Sequence, residues 1–198
     1  MNKKLYLLPL LLLTLMFASC EETKEATKFD DWRPRNQAFL DSLAQVYENG
    51  TDPALKYIVP LTNNKAKIFY KDITPDSIKD KLGATPLYSD SVQVYYRGSY
   101  IIGDVFDQNY LGKEGPDPEF DEPLDCYVSP YVSRPQGWPI TTVISGWGEV
   151  LQHMQVGQRW RVYLPYDYAY GTSGSGKIPG YSTLIFDMQL QGFVTELQ

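Results

Sequence analysis

The feature that most constrains this chain is an abrupt change from strand-like to helix-like sequence at residues 143–147. Two β-branched residues, Val143 and Ile144, precede Ser145, a candidate helix cap, and a glycine then leads to Trp147. A short apolar pattern at helical spacing follows, made by Val150, Leu151 and Met154. A strand that runs into a helix in this way can place backbone N–H groups and an aromatic floor in one concavity. We therefore expect a binding site at this junction.

The periodicity of the rest of the chain predicts mainly antiparallel strands. The clearest strand covers residues 91–97, where side-chain alternation puts on one face Val92, Val94 and Tyr96. Gly98 would permit a break after this strand. The other predicted strands are 68–73, 101–107, 159–164 and 183–190.

The strand at 159–164 has a clear division into two predicted faces. The face toward the core would carry Trp160, Val162 and Leu164, and the outward face would carry Arg159, Arg161 and Tyr163. The helix after Trp147 would end at Val156-Gly157. Sixteen tyrosines and fifteen glycines also favour sheets and turns over a helical bundle. The sequence thus predicts an α+β fold, with roughly five antiparallel strands wrapped over one short helix.

A second helix is predicted in the N-terminal part of the chain. Apolar residues recur at helical spacing from Pro34 to Glu48, and Asn49-Gly50 follows as a stop. This helix would dock on the domain or mediate self-association. The state of the short apolar segment 55–60 stays open.

Residues 107–142 form a long irregular region that is rich in glycine and proline. The region contains acidic residues that could bind a cation, namely Asp117, Glu119, Asp121, Glu122 and Asp125. Because these residues have no regular ligand spacing, a solvated acidic loop is the preferred interpretation.

The N-terminus has the pattern of a secretory signal. Two lysines precede an apolar run from Leu5 to Phe17, which is too short to span a membrane, and small residues follow directly before Cys20. This arrangement resembles the lipobox of bacterial lipoproteins, which implies lipidation of Cys20. An ordinary signal peptide with an incidental Cys20 is the alternative. The predicted segments are a signal at 1–19, a flexible tether at 20–31, an extension with one helix at 32–64 and the main domain at 65–198.

The charge and the cysteine content exclude several classes of protein. The formal net charge of −6 becomes −8 once the two lysines of the signal are removed, and no basic cluster remains. Nucleic acid is therefore not an expected partner. The only two cysteines are Cys20 and Cys126, so lipidation of the first would leave Cys126 without a disulfide partner in the same chain.

Two features that could carry catalytic chemistry lack the partners they need. Residues 171–177 fit the first seven positions of a phosphate-binding loop, but Ile178 stands where a hydroxyl would bind magnesium. A strand is predicted after this segment instead of a helix, so we expect no nucleotide. His153 is the only histidine, which favours a surface position over a role in a zinc site or a catalytic triad.

Seven short motifs in series resemble the FKBP-type peptidyl-prolyl cis-trans isomerases. The similarity spans about Lys65 to Val194, follows the order of the family and is nearly free of gaps from Val143 to Phe186. The motifs are Val94-Tyr95-Tyr96-Arg97-Gly98, Val105-Phe106-Asp107, Val143-Ile144-Ser145-Gly146-Trp147, Met154-Gln155-Val156-Gly157-Gln158-Arg159, Tyr168-Ala169-Tyr170-Gly171, Ile178-Pro179 and Thr183-Leu184-Ile185-Phe186-Asp187.

The resemblance implies an FKBP-like antiparallel half-barrel sheet wrapped around one short helix, with an N-terminal helical extension. An apolar pocket would lie between sheet and helix, with Trp147 as its floor. The implied substrate-binding residues are Tyr96, Phe106, Val143, Ile144, Trp147, Ile178 and Phe186. The implied catalytic residues are Asp107, Tyr170, Ile144 and Tyr96. The Ile144 N–H and the Tyr170 hydroxyl would bind carbonyl groups of the peptide, and Asp107 would orient polar groups near the twisting amide.

The implied activity is rotation about X–Pro bonds of proline-containing polypeptide clients, without a cofactor or a metal. The enzyme would assist the folding of exported proteins in the bacterial cell envelope, anchored through lipid on Cys20 at the periplasmic or cell-surface side of a membrane. The alternative is a module that binds proline peptides or a protein partner with little turnover.

The sequence also departs from the family pattern. Region 108–142 is longer than in small family members, and Gly174-Ser175-Gly176 stands where relatives often have a larger side chain. Candidates for the aromatic pair that the family has before the central strand are Leu124, Cys126, Tyr127 and Val128.

Overall fold

The structure is a computed structural model that describes residues 26–112, 114–127 and 143–195. The predicted signal, residues 20–25 of the predicted tether including Cys20, and Val128 lie outside the described residues. The chain divides into two units after Asp30, and the second unit, Asp31–Gln198, contains every described helix and strand. Among the described residues, no helix combines the length and the apolar character needed to cross a membrane.

Within the described part of the chain, seven strands form one antiparallel sheet, as the α+β half-barrel prediction requires. They are β1 (Leu55–Ile58), β2 (Ile68–Asp72), β3 (Ser91–Tyr100), β4 (Val105–Gln108), β5 (Leu124–Tyr127), β6 (Arg159–Leu164) and β7 (Leu184–Val194). The order across the sheet is β1-β2-β6-β7-β3-β4, and β5 also pairs with β3. The predicted number of about five was too low because β1 and β5 have only four residues each, too few for a periodic pattern.

Two helices cover opposite faces of this sheet. Helix α2 (Ser145–Leu151) lies on the inner face, where a Cβ atom on Gly146 would stand 2.1 Å from Cδ1 of Leu164. Helix α1 (Trp32–Glu48) lies on the outer face and confirms the predicted N-terminal helix. Its Leu43 belongs to an apolar cluster that also contains Leu55, Phe69 and Tyr163. The N-terminal helix therefore docks on the sheet through a small core of its own.

The outward face of β6 is less exposed than the alternation of side chains along this strand predicts. Tyr163 is 9% exposed because α1 covers it, and its ring lies 6.0 Å from that of Phe39. Arg159 is 7% exposed; its guanidinium donates to the Glu114 carbonyl and, at 3.2 Å, to the Tyr110 hydroxyl. The prediction that these two side chains face solvent is wrong, because alternation identifies a face but not what packs against it.

Arg161 is the residue of this face that stays exposed. Its guanidinium makes two hydrogen bonds of 2.7 and 3.0 Å to Asp187, which lies directly opposite on β7. Arg159 also approaches the same carboxylate, at 3.5 Å. Asp187 thus lies between one buried and one exposed arginine.

Three predicted boundaries near the site differ from the structure. Strand β3 continues through Gly98 with only a register shift before Ser99, and residues 101–104 form the turn to β4. Helix α2 ends at Leu151, not at Val156, because short turns follow it. The residue that caps α2 is Ile144 in an extended conformation, and Ser145 is already helical.

Strands β4 and β5 lie end to end along the same edge of β3, and Asn109 occupies the gap between them. The Asn109 side chain accepts the backbone N–H of Tyr96 at 2.6 Å and donates to the Val94 carbonyl at 3.0 Å. Its own backbone N–H donates to the Tyr96 carbonyl at 3.1 Å. One asparagine thereby satisfies the β3 backbone groups that no strand reaches.

Candidate active site

A cavity of about 150 Å³ opens between the start of α2 and the inner face of β3, β4 and β7. Its lining is Tyr96, Phe106, Asp107, Leu124, Val143, Ile144, Trp147, Tyr170 and Phe186. The structure therefore brings together all but one of the residues that the resemblance implies. Ile178 is the exception: it is half-buried in the neighbouring loop and does not line the cavity. Of the two proposed stand-ins whose side chains the structure describes, Leu124 and Cys126, Leu124 lines the wall.

Four aromatic rings form the floor and walls of the cavity. Trp147, in the first turn of α2, is 5% exposed, and its ring centroid lies 5.1 Å from that of Tyr96 and 5.4 Å from that of Phe186. Phe106 meets Phe186 at 5.7 Å and 88°. These edge-to-face contacts are the geometry that aromatic quadrupoles favour, so each ring fixes the orientation of the next. The cavity is consequently a shaped apolar surface.

Gly98 is a residue of the site that the sequence argument treated only as a candidate break. A Cβ atom at this position would stand 2.4 Å from Cζ of Phe106 and 2.9 Å from Cε1 of Phe186. Gly98 also lies opposite Asp107 on β4 and opposite Phe186 on β7. The two aromatic walls can approach β3 only because this position has no side chain. A glycine inside an otherwise regular strand was the available signal.

The polar edge of the cavity consists of two phenols and a carboxylate. The Tyr96 hydroxyl donates to Oδ2 of Asp107 at 2.7 Å, and Oδ1 of the same carboxylate accepts the Gln108 N–H at 2.9 Å. Burial, and then the hydrogen bond to Asp107, raise the pKa of Tyr96. Burial and the negative charge of Asp107 also raise the pKa of Tyr170, which is 38% exposed. Both hydroxyls therefore keep their protons at neutral pH and can donate hydrogen bonds.

Tyr170 belongs to the loop that joins β6 to β7, residues 165–183. A short 3₁₀ helix, Tyr166–Tyr168, begins the loop, and the Gly171 N–H donates to the Tyr166 carbonyl at 2.8 Å. Ser175 and Ile178 exchange two backbone hydrogen bonds of 2.9 Å. The glycine-rich segment 171–177 is thus a compact turn. No helix follows it before β7, in agreement with the argument against a nucleotide site.

The other candidates from the sequence lie away from the cavity. His153 is exposed, and its Nδ1 pairs with the Glu149 carbonyl at 2.8 Å. Cys126 is buried on β5. In the acidic loop, Asp121 accepts the backbone N–H groups of Leu111 and Asp117 at 3.1 and 2.8 Å. Its carboxylate therefore organises the loop.

Comparisons with known proteins agree with this fold. Residues 134–191 match the family model for FKBP-type peptidyl-prolyl cis-trans isomerase. The chain is 36% identical over 109 residues to the FKBP-type 22 kDa peptidyl-prolyl cis-trans isomerase of Escherichia coli K12, an alignment that covers 54% of this chain and 43% of that protein. It is 38% identical over 109 residues to outer membrane protein MIP of Legionella longbeachae, and this alignment covers 54% of this chain and 38% of that protein.

A crystal structure of FkpA from Escherichia coli superposes with a TM-score of 0.57 and 25% identity, covering 84% of this chain and 62% of that one. The chain is therefore similar in sequence and in fold to FKBP-type peptidyl-prolyl cis-trans isomerases, as its seven motifs predict. The alignments span less than half the length of these two curated relatives. The roles assigned to individual site residues stay predictions.

Proposed function

We propose that this protein catalyses cis–trans isomerisation of X–Pro bonds in the cavity above α2. The observation that carries the proposal is an aromatic cavity whose polar groups sit at one edge, at Tyr96, Asp107 and Tyr170. None of the nine described lining residues is a serine, cysteine, lysine or histidine. A reaction that moves no proton and forms no covalent intermediate fits such a lining, and amide rotation is a reaction of this kind.

The cavity offers a physical route to a lower rotational barrier. Rotation about the C–N bond faces a barrier of about 20 kcal/mol because resonance makes it partly double. Trp147 and Phe186 would surround the proline ring with apolar surface, which disfavours the charge-separated planar amide. The Tyr170 hydroxyl and the Ile144 N–H would hold the flanking carbonyl groups, so that the twisted peptide is bound better than either planar form. A preference of about 4 kcal/mol for the twisted peptide would raise the rate of isomerisation roughly a thousandfold.

Tyr96 has a separate task in this scheme. Its hydrogen bond fixes the Asp107 carboxylate at the cavity edge, where the charge can orient polar groups of the peptide. The carboxylate then needs no reorganisation during the reaction, which is the condition for effective electrostatic stabilisation.

The place of action that we propose is the bacterial cell envelope, with exported polypeptides as clients. The support is the secretory pattern before Cys20 and the similarity to a relative named as an outer membrane protein. Lipidation of Cys20 would hold the domain at a membrane surface. Metabolic labelling with a fatty-acid analogue tests this step: we expect label in the wild-type chain and none in Cys20→Ser, and an unlabelled wild-type chain would exclude the anchor.

The activity is tested by refolding a substrate protein whose slow phase is a trans-to-cis proline step. We expect the wild-type protein to accelerate this phase, Asp107→Ala and Tyr170→Phe to accelerate it several-fold less, and Tyr88→Phe to match wild type. Tyr88 is a suitable control because it is a partly exposed tyrosine outside the cavity. Equal rates for all four proteins would contradict the roles assigned to Asp107 and Tyr170. No acceleration by the wild-type protein at high concentration would refute the isomerase activity.

The second candidate is binding of proline peptides without useful turnover. It is favoured by Leu124, an aliphatic residue that lines the wall where the resemblance leads us to expect an aromatic pair. A proline-containing tetrapeptide that binds in calorimetry, together with an unchanged refolding rate, would select this candidate.

A further inference from the structure

The first turns of α1 are hydrogen bonded to the end of the loop that carries Tyr170. The indole N–H of Trp32 donates to the Ser182 hydroxyl at 2.8 Å, and that hydroxyl donates to the Pro179 carbonyl at 2.6 Å. Asn36 is 2% exposed, and its Oδ1 accepts the Thr183 N–H at 2.7 Å. Two side chains of the N-terminal helix therefore determine where the loop ends and β7 begins.

A third side chain of the same helix reaches the residue before these two. The guanidinium of Arg33 lies 4.5 Å from the ring centroid of Tyr181. Tyr181 has a φ angle of 62°, an unfavourable conformation for a residue with a Cβ atom. Its N–H donates to the Gly171 carbonyl at 3.0 Å, which links it directly to the neighbour of Tyr170. The helix thus contacts the loop at three consecutive positions.

A second line of contacts runs from α1 to the aromatic wall. The ring of Trp32 meets that of Tyr100 edge-on at 5.8 Å, and the ring of Tyr100 meets that of Phe106 at 5.2 Å. The Tyr100 hydroxyl also donates to the Lys177 carbonyl in the loop at 3.0 Å. Trp32 is therefore connected both to the wall at Phe106 and to the loop.

The burial of Asn36 makes this attachment specific. A buried carboxamide is costly unless its polar atoms are bonded, and here Nδ2 donates to the Trp32 carbonyl at 2.7 Å while Oδ1 is bonded to Thr183. The bond within the helix orients the carboxamide, and the bond to Thr183 forms only when the helix and the loop hold this one relative position. Apolar packing alone, as at Leu43, would tolerate small shifts of the helix along the sheet.

We propose that α1 is a positioning element of the active site: Trp32 and Asn36 fix the 165–183 loop, and with it the Tyr170 hydroxyl, against the cavity. The inference rests on the proposed function for its kinetic consequence, but its structural part stands on the contacts alone. Trp32 and Asn36 are not among the residues that line the cavity, and we infer that they act through the loop and through Tyr100.

The test compares Trp32→Phe and Asn36→Ala with Leu43→Ala in the full chain. Trp32→Phe removes the indole N–H and keeps a ring beside Tyr100, whereas Leu43→Ala weakens the docking of the same helix at its far end. Amide hydrogen exchange is measured in residues 171–183. We expect exchange at Tyr181 and Thr183 to be at least tenfold faster in Asn36→Ala than in Leu43→Ala, under denaturant conditions that give the two variants equal stability.

Steady-state kinetics with a proline-containing tetrapeptide provide the second readout. Because a displaced loop would weaken the binding of the planar and the twisted peptide alike, we expect KM to rise about fivefold in Trp32→Phe and Asn36→Ala, with kcat within twofold of wild type. If Trp32 and Asn36 only stabilised the fold, their substitution would lower the fraction of folded, active enzyme. This loss would reduce the apparent kcat and leave KM unchanged. Leu43→Ala should follow that second pattern.

The two proposals fail in distinguishable ways. An inactive wild-type protein would refute the isomerase proposal, and the exchange comparison would still decide on the positioning helix. Equal exchange in the loop of Asn36→Ala and Leu43→Ala would overturn the positioning proposal even in an active enzyme. An unchanged KM in both Trp32→Phe and Asn36→Ala would overturn its link to the active site.

Discussion

The Tyr96 hydroxyl on β3 donates a hydrogen bond of 2.7 Å to the Asp107 carboxylate on the neighbouring strand β4. The pair joins the aromatic wall of the cavity to its only carboxylate among the described lining residues. Because the acceptor is negatively charged, the bond favours the protonated phenol and opposes its ionisation.

The first prediction concerns stability at alkaline pH. The pKa of Tyr96 is raised above its ordinary value of 10.0 in the folded protein, so the neutral phenol stabilises the fold. This contribution is fully present below pH 10 and is lost as the pH rises through the higher pKa of the folded state. Denaturant midpoints measured from neutral to strongly alkaline pH should fall less steeply in Tyr96→Phe than in wild type. Identical slopes would contradict the assignment.

The same relationship predicts the behaviour of Asp107→Asn. Removing the negative charge should lower the pKa of Tyr96, although burial, the larger cause of the shift, remains. Because the charge of Asp107 also raises the pKa of Tyr170, ultraviolet titration of tyrosinate should show two phenols that ionise at lower pH than in wild type. Asp104→Asn, on the nearby turn, serves as a control and should leave the curve unchanged.

The second prediction concerns Gly98→Ala. The added methyl group would force apart Phe106 and Phe186, and overpacking of this kind costs about 1–3 kcal/mol of unfolding free energy. We expect kcat/KM for an X–Pro peptide to fall roughly tenfold, measured in the coupled isomerase assay. Gly192→Ala is the matched control, because the nearest atom to its Cβ is a Gln93 oxygen at 3.7 Å. Gly98→Ala with wild-type activity would refute the assigned reason for the glycine.

The third prediction compares two arginines on β6 that the sequence pattern treats as equivalent. Arg159→Met removes the donor to Glu114 and Tyr110 from a buried site, and we expect it to lower the free energy of unfolding by roughly 2–3 kcal/mol. Arg161→Met removes the exposed partner of Asp187, which keeps Arg159 at 3.5 Å, and should cost about 0–1 kcal/mol. Limited proteolysis should cleave residues 109–118 faster in the first variant only. Equal losses of stability in the two variants would show that burial does not explain a difference between Arg159 and Arg161.

The fourth prediction concerns the thiol of Cys126. Burial, and then the charge of Asp125, raise its pKa to about 12 from the usual 9.0. At pH 8 the folded protein should therefore contain roughly a thousandfold less thiolate than the unfolded chain, and thiolate is the reactive form. In a Cys20→Ser background, a disulfide reagent should label the native protein far more slowly than the denatured protein. Comparable rates would mean that Cys126 is accessible.

The sequence predicted the cavity more completely than it predicted the outer face. Eight lining residues, from Tyr96 to Phe186, are those that the resemblance implies, because each belongs to a short motif that can be recognised within a few residues of the chain. The burial of Tyr163 and Arg159 depends on segments about 120 and 45 residues away, and nothing in the alternation of β6 reports those partners. Strands β1 and β5 were not predicted for a related reason, because each has only four residues and shows no clear period.

The arrangement around Asn109 has a consequence for the solution behaviour of the protein. A bare ten-residue β3 would offer a long row of unpaired backbone groups, the kind of edge on which another chain can add a strand. Here β4 and β5 divide that edge into two four-residue stretches, and the Asn109 carboxamide fills the space between them. Neither stretch offers enough consecutive hydrogen bonds to hold a foreign strand firmly. This division would protect a protein with the function proposed above against aggregating with its own polypeptide clients along this side of the sheet.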